Sequence, residues 1–214
     1  MEIIGGRTKL NGWFFYCCLW SCWIVLTFIV PKSLPYRFYI GCFILMSIIL
    51  SIYKVPIFHW SVNLTILIWM IGCMVSFAAL PFSKRLYQIC VSFIVMLVYV
   101  VFLLFELYDP IWVIVDRRWL LSFIIGTIAI LMNVKLLDRI AATIIGLGMG
   151  EFLFAYVLFT TGIKWDITTP HFLDLCSSIG ILILLWSGFE FVIYYLKKIY
   201  TPPSQIEKEK HKPG

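Results

Sequence analysis

The chain has 214 residues, of which 62% are hydrophobic and only 13% are charged. A soluble domain usually contains about 45–50% apolar and about 25% charged residues, so this composition excludes a water-soluble globule and predicts a lipid bilayer as the surroundings. The net charge of +6 fits membrane topology and contact with anionic lipid headgroups, and nothing in it indicates binding to nucleic acid.

Seven apolar blocks follow one another along the chain, and blocks of this kind suit a bilayer core about 30 Å thick. They are expected to be helices, because lipid offers no partner for a free backbone amide. The sequence therefore predicts an all-α, polytopic transmembrane helix bundle of about seven helices, with a single domain over 1–196 and a flexible tail over 197–214. The blocks cover residues 12–30, 36–53, 57–80, 87–108, 119–134, 140–160 and 172–196.

The fifth block is the least regular of the seven. Asp116, Arg117 and Arg118 separate it from the apolar residues that precede it. Charged residues are rare inside transmembrane segments. Six helices plus an interfacial segment is therefore the alternative architecture.

Basic residues predict the orientation of the chain, because cytoplasmic loops are richer in lysine and arginine. Of the 17 basic residues, the larger group falls at the face that carries the C-terminus. The C-terminus is therefore predicted to be cytoplasmic and the N-terminus outside, although Arg7 and Lys9 argue for the opposite orientation. The larger group consists of Lys32, Arg37, Lys84, Arg85, Lys135, Arg139, Lys197, Lys198, Lys208, Lys210 and Lys212.

Motifs for catalysis and for metal or cofactor binding are absent from the sequence. The seven cysteines all fall within apolar blocks and lack the spacings of a metal site, so they are interpreted as small apolar residues. The three histidines form no HExxH pattern, and GLGMG at 146–150 lacks the strand–turn–helix context of a nucleotide-binding loop. The chain is therefore predicted to be non-enzymatic, with no metal and no cofactor.

The sixth block carries two narrow faces of small residues, which allow other helices to approach closely. This block is therefore predicted to lie inside the bundle rather than against lipid. The first face consists of Ala142, Gly146 and Gly150, and the second of Gly148, Glu151 and Ala155.

Glu151 is expected to point at protein, because a charged carboxylate facing lipid would cost on the order of 3 kcal/mol. No lysine or arginine falls at comparable depth in the predicted blocks. The acid is expected to be protonated, hydrogen-bonded to neighbouring helices or wetted by a cavity, with Asn63, Thr65 and Ser76 of the third block as candidate partners. Two interpretations stay open: a protonatable group on a proton or substrate pathway, and a carboxylic acid that locks helices together.

Asp174 and Glu190, both in the seventh block, complete the set of candidate intramembrane acids. Asp174 lies in the first turn, where a carboxylate complements a helix N-terminus, which favours a capping or interfacial role. Glu190 shares a helix face with Lys197, and both side chains can reach toward water. The depths of Glu151 and Glu190 differ by roughly 13 Å, so a direct carboxylate pair is not expected.

The segment NGWFFYCCLWSCWIVLTFIVPK, residues 11–32, combines an aromatic-rich helix with spaced tryptophans, a TF pair and a basic turn. In this pattern, in length and in its series of short-looped helices, the chain resembles the YphA-like family of multi-pass membrane proteins from Bacillus-type bacteria. The resemblance implies a bacterial plasma-membrane protein of uncharacterised activity. Because such bacteria form spores, it also suggests a role in cell or spore envelope assembly.

Three function classes are compatible with these features. The first is a non-enzymatic protein that assembles with other membrane or envelope proteins. The alternative is a small proton- or solute-coupled transporter or channel using Glu151. Seven helices resemble the layout of SWEET-type sugar transporters, but no repeat relates 12–80 to 119–196. The third class, a membrane-embedded enzyme, needs reactive groups gathered at one depth, whereas the sequence shows isolated groups. The oligomeric state stays open.

Overall fold

The computed structural model describes residues 12–31, 36–57, 60–108, 116–162, 167 and 169–200. Within these residues, seven α-helices form a bundle, which confirms the all-α architecture predicted from composition. Two short β-strands lie between the second and third helices. The helices are α1 (Trp13–Phe28), α2 (Tyr36–Leu50), α3 (Leu64–Ala78), α4 (Phe82–Tyr108), α5 (Arg117–Met132), α6 (Leu136–Thr160) and α7 (Pro170–Tyr200).

The helices differ in their ability to cross a membrane. Among the described residues, α4, α6 and most of α7 are long and apolar enough to span one. Helices α1 and α3, and residues 37–50 of α2, are apolar but shorter. The 16 residues of α1 rise roughly 24 Å, less than the hydrocarbon thickness of about 30 Å. Polar groups at the two ends of the bundle therefore lie close to the membrane boundaries.

The fifth predicted block forms a helix, as the seven-helix prediction requires. The alternative of an interfacial segment stays a prediction, because α5 is not among the helices that are long and apolar enough to span a membrane. The charged residues before it start the helix instead of breaking it. The side chain of Asp116 accepts a hydrogen bond from the backbone amide of Arg118 at 3.2 Å. This is the ordinary N-cap arrangement, in which a short acid satisfies an amide that has no partner within the helix.

The third predicted block, 57–80, is wrong at its beginning. Strand β1 (Lys54–Ile57) pairs antiparallel with β2 (Trp60–Asn63), with Val55 opposite Val62, and α3 starts only at Leu64. Asn63 ends the strand and caps the helix, since its side chain accepts a hydrogen bond from the Thr65 amide at 2.9 Å. Hydropathy alone cannot separate a short apolar strand from the first turns of a helix, which explains the error.

The hairpin defines one end of the bundle. We call this end the hairpin end and the opposite end the far end. Four helices begin at the hairpin end: α1, α3, α5 and α7. Two helices, α4 and α6, begin at the far end. Helix α6 is the central helix and packs against α3, α4, α5 and α7. Helix α7 continues past residue 196 to Tyr200. The tail at 201–214, predicted to be flexible, lies outside the described residues.

Candidate functional site

Gly146 of α6 lies where α4 passes too close for a side chain. A β-carbon at this position would lie 2.6 Å from the carbonyl oxygen of Ser92 and 2.7 Å from the β-carbon of Val95. Ala142, one turn earlier on the same face, is fully buried. The first small-residue face of α6 therefore rests directly on α4.

The second small-residue face of α6 points toward α3. The sulfur of Met70, on α3, occupies the space that a side chain at Gly148 would need. Ala155 is buried on the same side of the helix. Gly150 belongs to the first face, and a β-carbon there would lie 2.7 Å from Cδ1 of Tyr99 on α4. Helix α6 is thus held between α3 and α4 at van der Waals distance.

Glu151 is buried in the centre of this packing, with 1% of its surface exposed. The hydroxyl of Tyr99 donates a hydrogen bond of 2.5 Å to its Oε2 atom. The ring of Tyr99 also packs edge-on against Phe172 of α7, with centroids 6.2 Å apart. A buried carboxyl requires hydrogen-bond partners. Tyr99 supplies one, and this contact connects α6 to α4 and, through Phe172, to α7.

The residues proposed from sequence as partners of Glu151 make other hydrogen bonds. Asn63 caps α3, and the hydroxyl of Thr65 donates to the carbonyl of Ser47. Ser76 donates to the carbonyl of Gly72 one turn earlier on its own helix. Tyr99 was not considered in the sequence analysis, because the sequence does not record which helix lies against the Glu151 face of α6.

Asp174 caps a helix, but the helix is α1 and not its own. Its carboxylate accepts hydrogen bonds from the backbone amides of Gly12 at 3.0 Å and Phe15 at 2.8 Å. Gly12 has a φ of +91°, a conformation that glycine adopts at little cost. Nη1 of Arg118 lies 3.9 Å from the same carboxylate. Asp174 therefore joins the first turns of α1, α5 and α7 at the hairpin end.

Glu190 forms an ion pair with Arg139 at the far end of the bundle. The guanidinium donates to both carboxylate oxygens at 2.8 and 2.9 Å, in a two-bond arrangement that fixes the orientation of both groups. The Nε1 atom of Trp186 donates to Glu190 at 2.7 Å. Arg139 is 2% exposed, whereas the Glu190 side chain is 44% exposed. A buried cation on α6 is thus neutralised by a partly exposed acid on α7.

A pair of buried amides adjoins this ion pair. Nε2 of Gln88 donates to Oδ1 of Asn133 at 2.7 Å, and Nε of Arg139 donates to the Asn133 carbonyl at 2.6 Å. Oε1 of Gln88 and Nδ2 of Asn133 are buried without a hydrogen-bond partner among the described residues. The far end of the bundle therefore holds a polar cluster built from α4, α6, α7 and the end of α5.

The three candidate acids do not form one site. Arg139, the partner of Glu190, precedes Glu151 by three turns on α6, which corresponds to roughly 18 Å along the helix. Asp174 is occupied at the hairpin end by backbone amides. Within the described part of the chain, no group of three or more His, Cys, Asp or Glu residues lies close enough to hold a metal ion. The geometry shows three separate contacts at different positions in the bundle.

A family model described as "YphA-like integral membrane protein" matches residues 11–212 of this sequence. The match covers nearly the whole chain, including all seven helices and the hairpin. This chain belongs to the YphA-like integral membrane protein family. The resemblance seen in residues 11–32 is thereby confirmed, and so is an integral membrane location with lipid as the surroundings.

One curated relative supports the same assignment. The "Uncharacterized protein YphA" of Bacillus subtilis (strain 168) is 26% identical over 182 residues, which cover 85% of this chain and 89% of the relative. No solved structure matches the chain. The YphA-like assignment thus describes the type of protein and its bacterial setting, and it carries no specific activity.

The sequence analysis of this YphA-like chain missed Arg139 as a partner for Glu190. It began the sixth block at residue 140 and counted Arg139 as a loop residue, whereas α6 begins at Leu136. If the sixth block had been extended by one turn, Arg139 would have fallen on the same helix stripe as Thr143. The hydroxyl of Thr143 donates a hydrogen bond to the carbonyl of Arg139 at 2.8 Å. The signal was present, but apolar block lengths obscured it.

Proposed function

We propose that this YphA-like protein is a non-enzymatic protein of the bacterial plasma membrane that assembles with another membrane protein through the end of α7. One observation carries the proposal. Every side chain from Phe191 to Ile199 is exposed, on all sides of the helix, and most of these residues are apolar. We call residues 191–199 the α7 extension.

The position of the α7 extension supports a protein partner rather than lipid alone. From Asp174 to Glu190 the helix rises roughly 24 Å, and from Glu190 to Tyr200 it rises roughly another 15 Å. Their sum exceeds the hydrocarbon thickness of about 30 Å. The end of the extension therefore reaches into the headgroup layer, where its apolar surface needs a cover other than lipid chains.

The composition of the α7 extension fits a protein interface. Phe191, Tyr194 and Tyr195 are exposed aromatic residues, and aromatic side chains are enriched in the centres of protein interfaces. Lys197 and Lys198 follow in the last turn. With the predominance of basic residues at this end, we place the extension at the cytoplasmic face and the N-terminus outside. If an external protease removed a C-terminal tag from intact cells, the C-terminus would be outside and the opposite orientation would hold.

A photo-crosslinking amino acid at Phe191 or Tyr195 tests the proposal in living cells. We expect a discrete adduct with one protein, and its loss when Ile193 and Leu196 are changed to serine. Phe123 on α5 is the matched control, because it is 64% exposed and Phe191 is 67% exposed, yet Phe123 lies within the bundle's span. Equal adduct patterns from Phe123 and Phe191, or none from either, would reject the α7 extension as a docking segment.

A partner in cell or spore envelope assembly is the narrower form of this proposal. Its motivation is the Bacillus setting of the curated relative alone, since neither the family description nor the name of that relative assigns a role. The identity of the cross-linked protein decides whether the narrower form holds. A partner with no connection to the envelope would leave the docking role in place and remove the envelope role.

Transport through Glu151 is the alternative function, and it requires water at the centre of α6. Glu151 is 1% exposed and accepts a hydrogen bond from Tyr99, so water is not expected to reach it. The test introduces Glu151→Cys into a protein from which the seven native cysteines have been removed. We expect this cysteine to resist a small, membrane-permeant thiol reagent. The modified fraction is measured by mass. Ser76→Cys on the exposed face of α3 is the positive control for reagent access. Rapid labelling at position 151 in the folded protein would place transport ahead of the docking role.

A further inference from the structure

An apolar groove of about 570 Å³ opens on the surface of the bundle between α1, α2 and α7. Its walls include Phe14, Cys18 and Ser21 of α1, Ile40 and Ile44 of α2, and Ile181 of α7. On α1 it runs from Phe14 past Leu26, a distance of roughly 18 Å, whereas one leaflet of the hydrocarbon layer is only about 15 Å deep. The groove is thus long enough to hold one acyl chain over the full thickness of one leaflet.

A cation stands at the mouth of the groove, at the hairpin end. The guanidinium carbon of Arg118 lies 5.0 Å from the ring centroid of Phe14, which lines the groove, and 5.4 Å from that of Trp119. The charged group and the apolar channel are therefore parts of one continuous surface.

Arg118 has hydrogen-bonding capacity that the protein does not use. Its Nε atom is buried and has no hydrogen-bond partner among the described residues. Its Nη1 atom lies 3.9 Å from Asp174, a distance too long for a hydrogen bond. Asp174 is itself satisfied by two backbone amides. The Arg118 side chain is 31% exposed, so the outer part of its guanidinium, and not the buried Nε, can meet the oxygens of a phosphate group.

We propose that this groove binds one phospholipid of the leaflet at the hairpin end, with an acyl chain between α1, α2 and α7 and its phosphate on Arg118. The observations that favour a phospholipid are the length of the groove, its apolar walls and the partly exposed guanidinium beside Phe14 at its mouth. The site is independent of the α7 extension, which lies at the far end. Loss of one role therefore leaves the other intact.

Photoreactive lipids test the site in the full-length protein reconstituted in bilayers. Two probes with identical diazirine-bearing acyl chains are compared, a phospholipid and an uncharged diacylglycerol. We expect the phospholipid to label peptides of α1 and α2 selectively, and Arg118→Gln to lower this labelling about tenfold, as expected for a lost charged hydrogen bond. Arg117→Gln is the matched control, because Arg117 pairs with Glu106 at 3.3 Å outside the groove.

A second pair of variants separates the groove from the general lipid surface. Ser21 lines the groove, and Ser76 is also exposed but lies on α3. Ser21→Phe should remove the selective labelling, and Ser76→Phe should leave it unchanged. Uniform labelling around the bundle that Ser21→Phe does not change would indicate ordinary annular lipid, and it would overturn the proposal. Protection of the groove by a cross-linkable helix of another protein would overturn it as well.

Discussion

Replacement of Gly146 by leucine should prevent the bundle from reaching a stable fold. The β-carbon alone would lie 2.6 Å from a backbone oxygen of α4, and a backbone cannot rotate away as a side chain can. Overpacking usually costs about 1–3 kcal/mol and more where the neighbour cannot move, so we expect a loss of about 3 kcal/mol or more. The folded fraction is measured by denaturant titration in detergent micelles.

Gly72→Leu is the control for this substitution. Gly72 lies on α3 and is exposed, and no neighbouring atom lies within 4 Å of the point that a β-carbon would occupy there. Leucine is a better helix former than glycine, by up to about 1 kcal/mol, so this variant should be as stable as the parent or more stable. Equal stability of the Gly146 and Gly72 variants would show that α4 does not approach α6 as closely as the structure indicates.

Glu190→Leu should destabilise the bundle by about 3 kcal/mol, the lower end of the range for breaking a buried ion pair, because Glu190 is partly exposed. The substitution leaves the guanidinium of Arg139 buried without its counter-charge. The same argument predicts a rescue. The double variant Arg139→Met, Glu190→Leu removes the buried cation too, and it should return to within about 1 kcal/mol of the parent.

Unfolding of the single and double variants under identical detergent conditions gives the coupling energy of the pair. Lys197→Met is the comparison, because Lys197 is the basic residue that shares a helix face with Glu190 in the sequence, and it should change stability less than Glu190→Leu. If Arg139→Met, Glu190→Leu is as unstable as Glu190→Leu alone, the ion pair does not account for the effect of Glu190.

These experiments bear on function, because they address how tightly the bundle is packed. Gly146 and Gly150 hold α6 against α4, and the Glu151–Tyr99 hydrogen bond lies in the same contact. A helix packed this closely on two sides serves as a rigid support. The α7 extension and the groove proposed to bind lipid both lie at the periphery of that support, where the proposed binding would not require the central helix to move.

Composition and pattern determined the class of this protein. An apolar content of 62% in seven blocks is enough to predict seven helices in a bilayer, because lipid leaves the backbone no other way to satisfy its hydrogen bonds. The small residues of the sixth block indicated a buried helix for a similar reason, since close approach of two helices requires the absence of side chains. Such local rules need no knowledge of which helix lies next to which.

Only the tertiary structure decided which groups the three acids contact. Tyr99 and Glu151 are separated by 52 positions, Arg139 and Glu190 by 51, and Asp174 and Gly12 by 162. The sequence does not indicate these partners, and Tyr99 was not among the candidates considered for Glu151, because the choice depends on the order, depth and rotation of the helices. The hairpin at 54–63 was missed for a related reason: its pairing is a contact between two segments, and hydropathy along one segment does not record it.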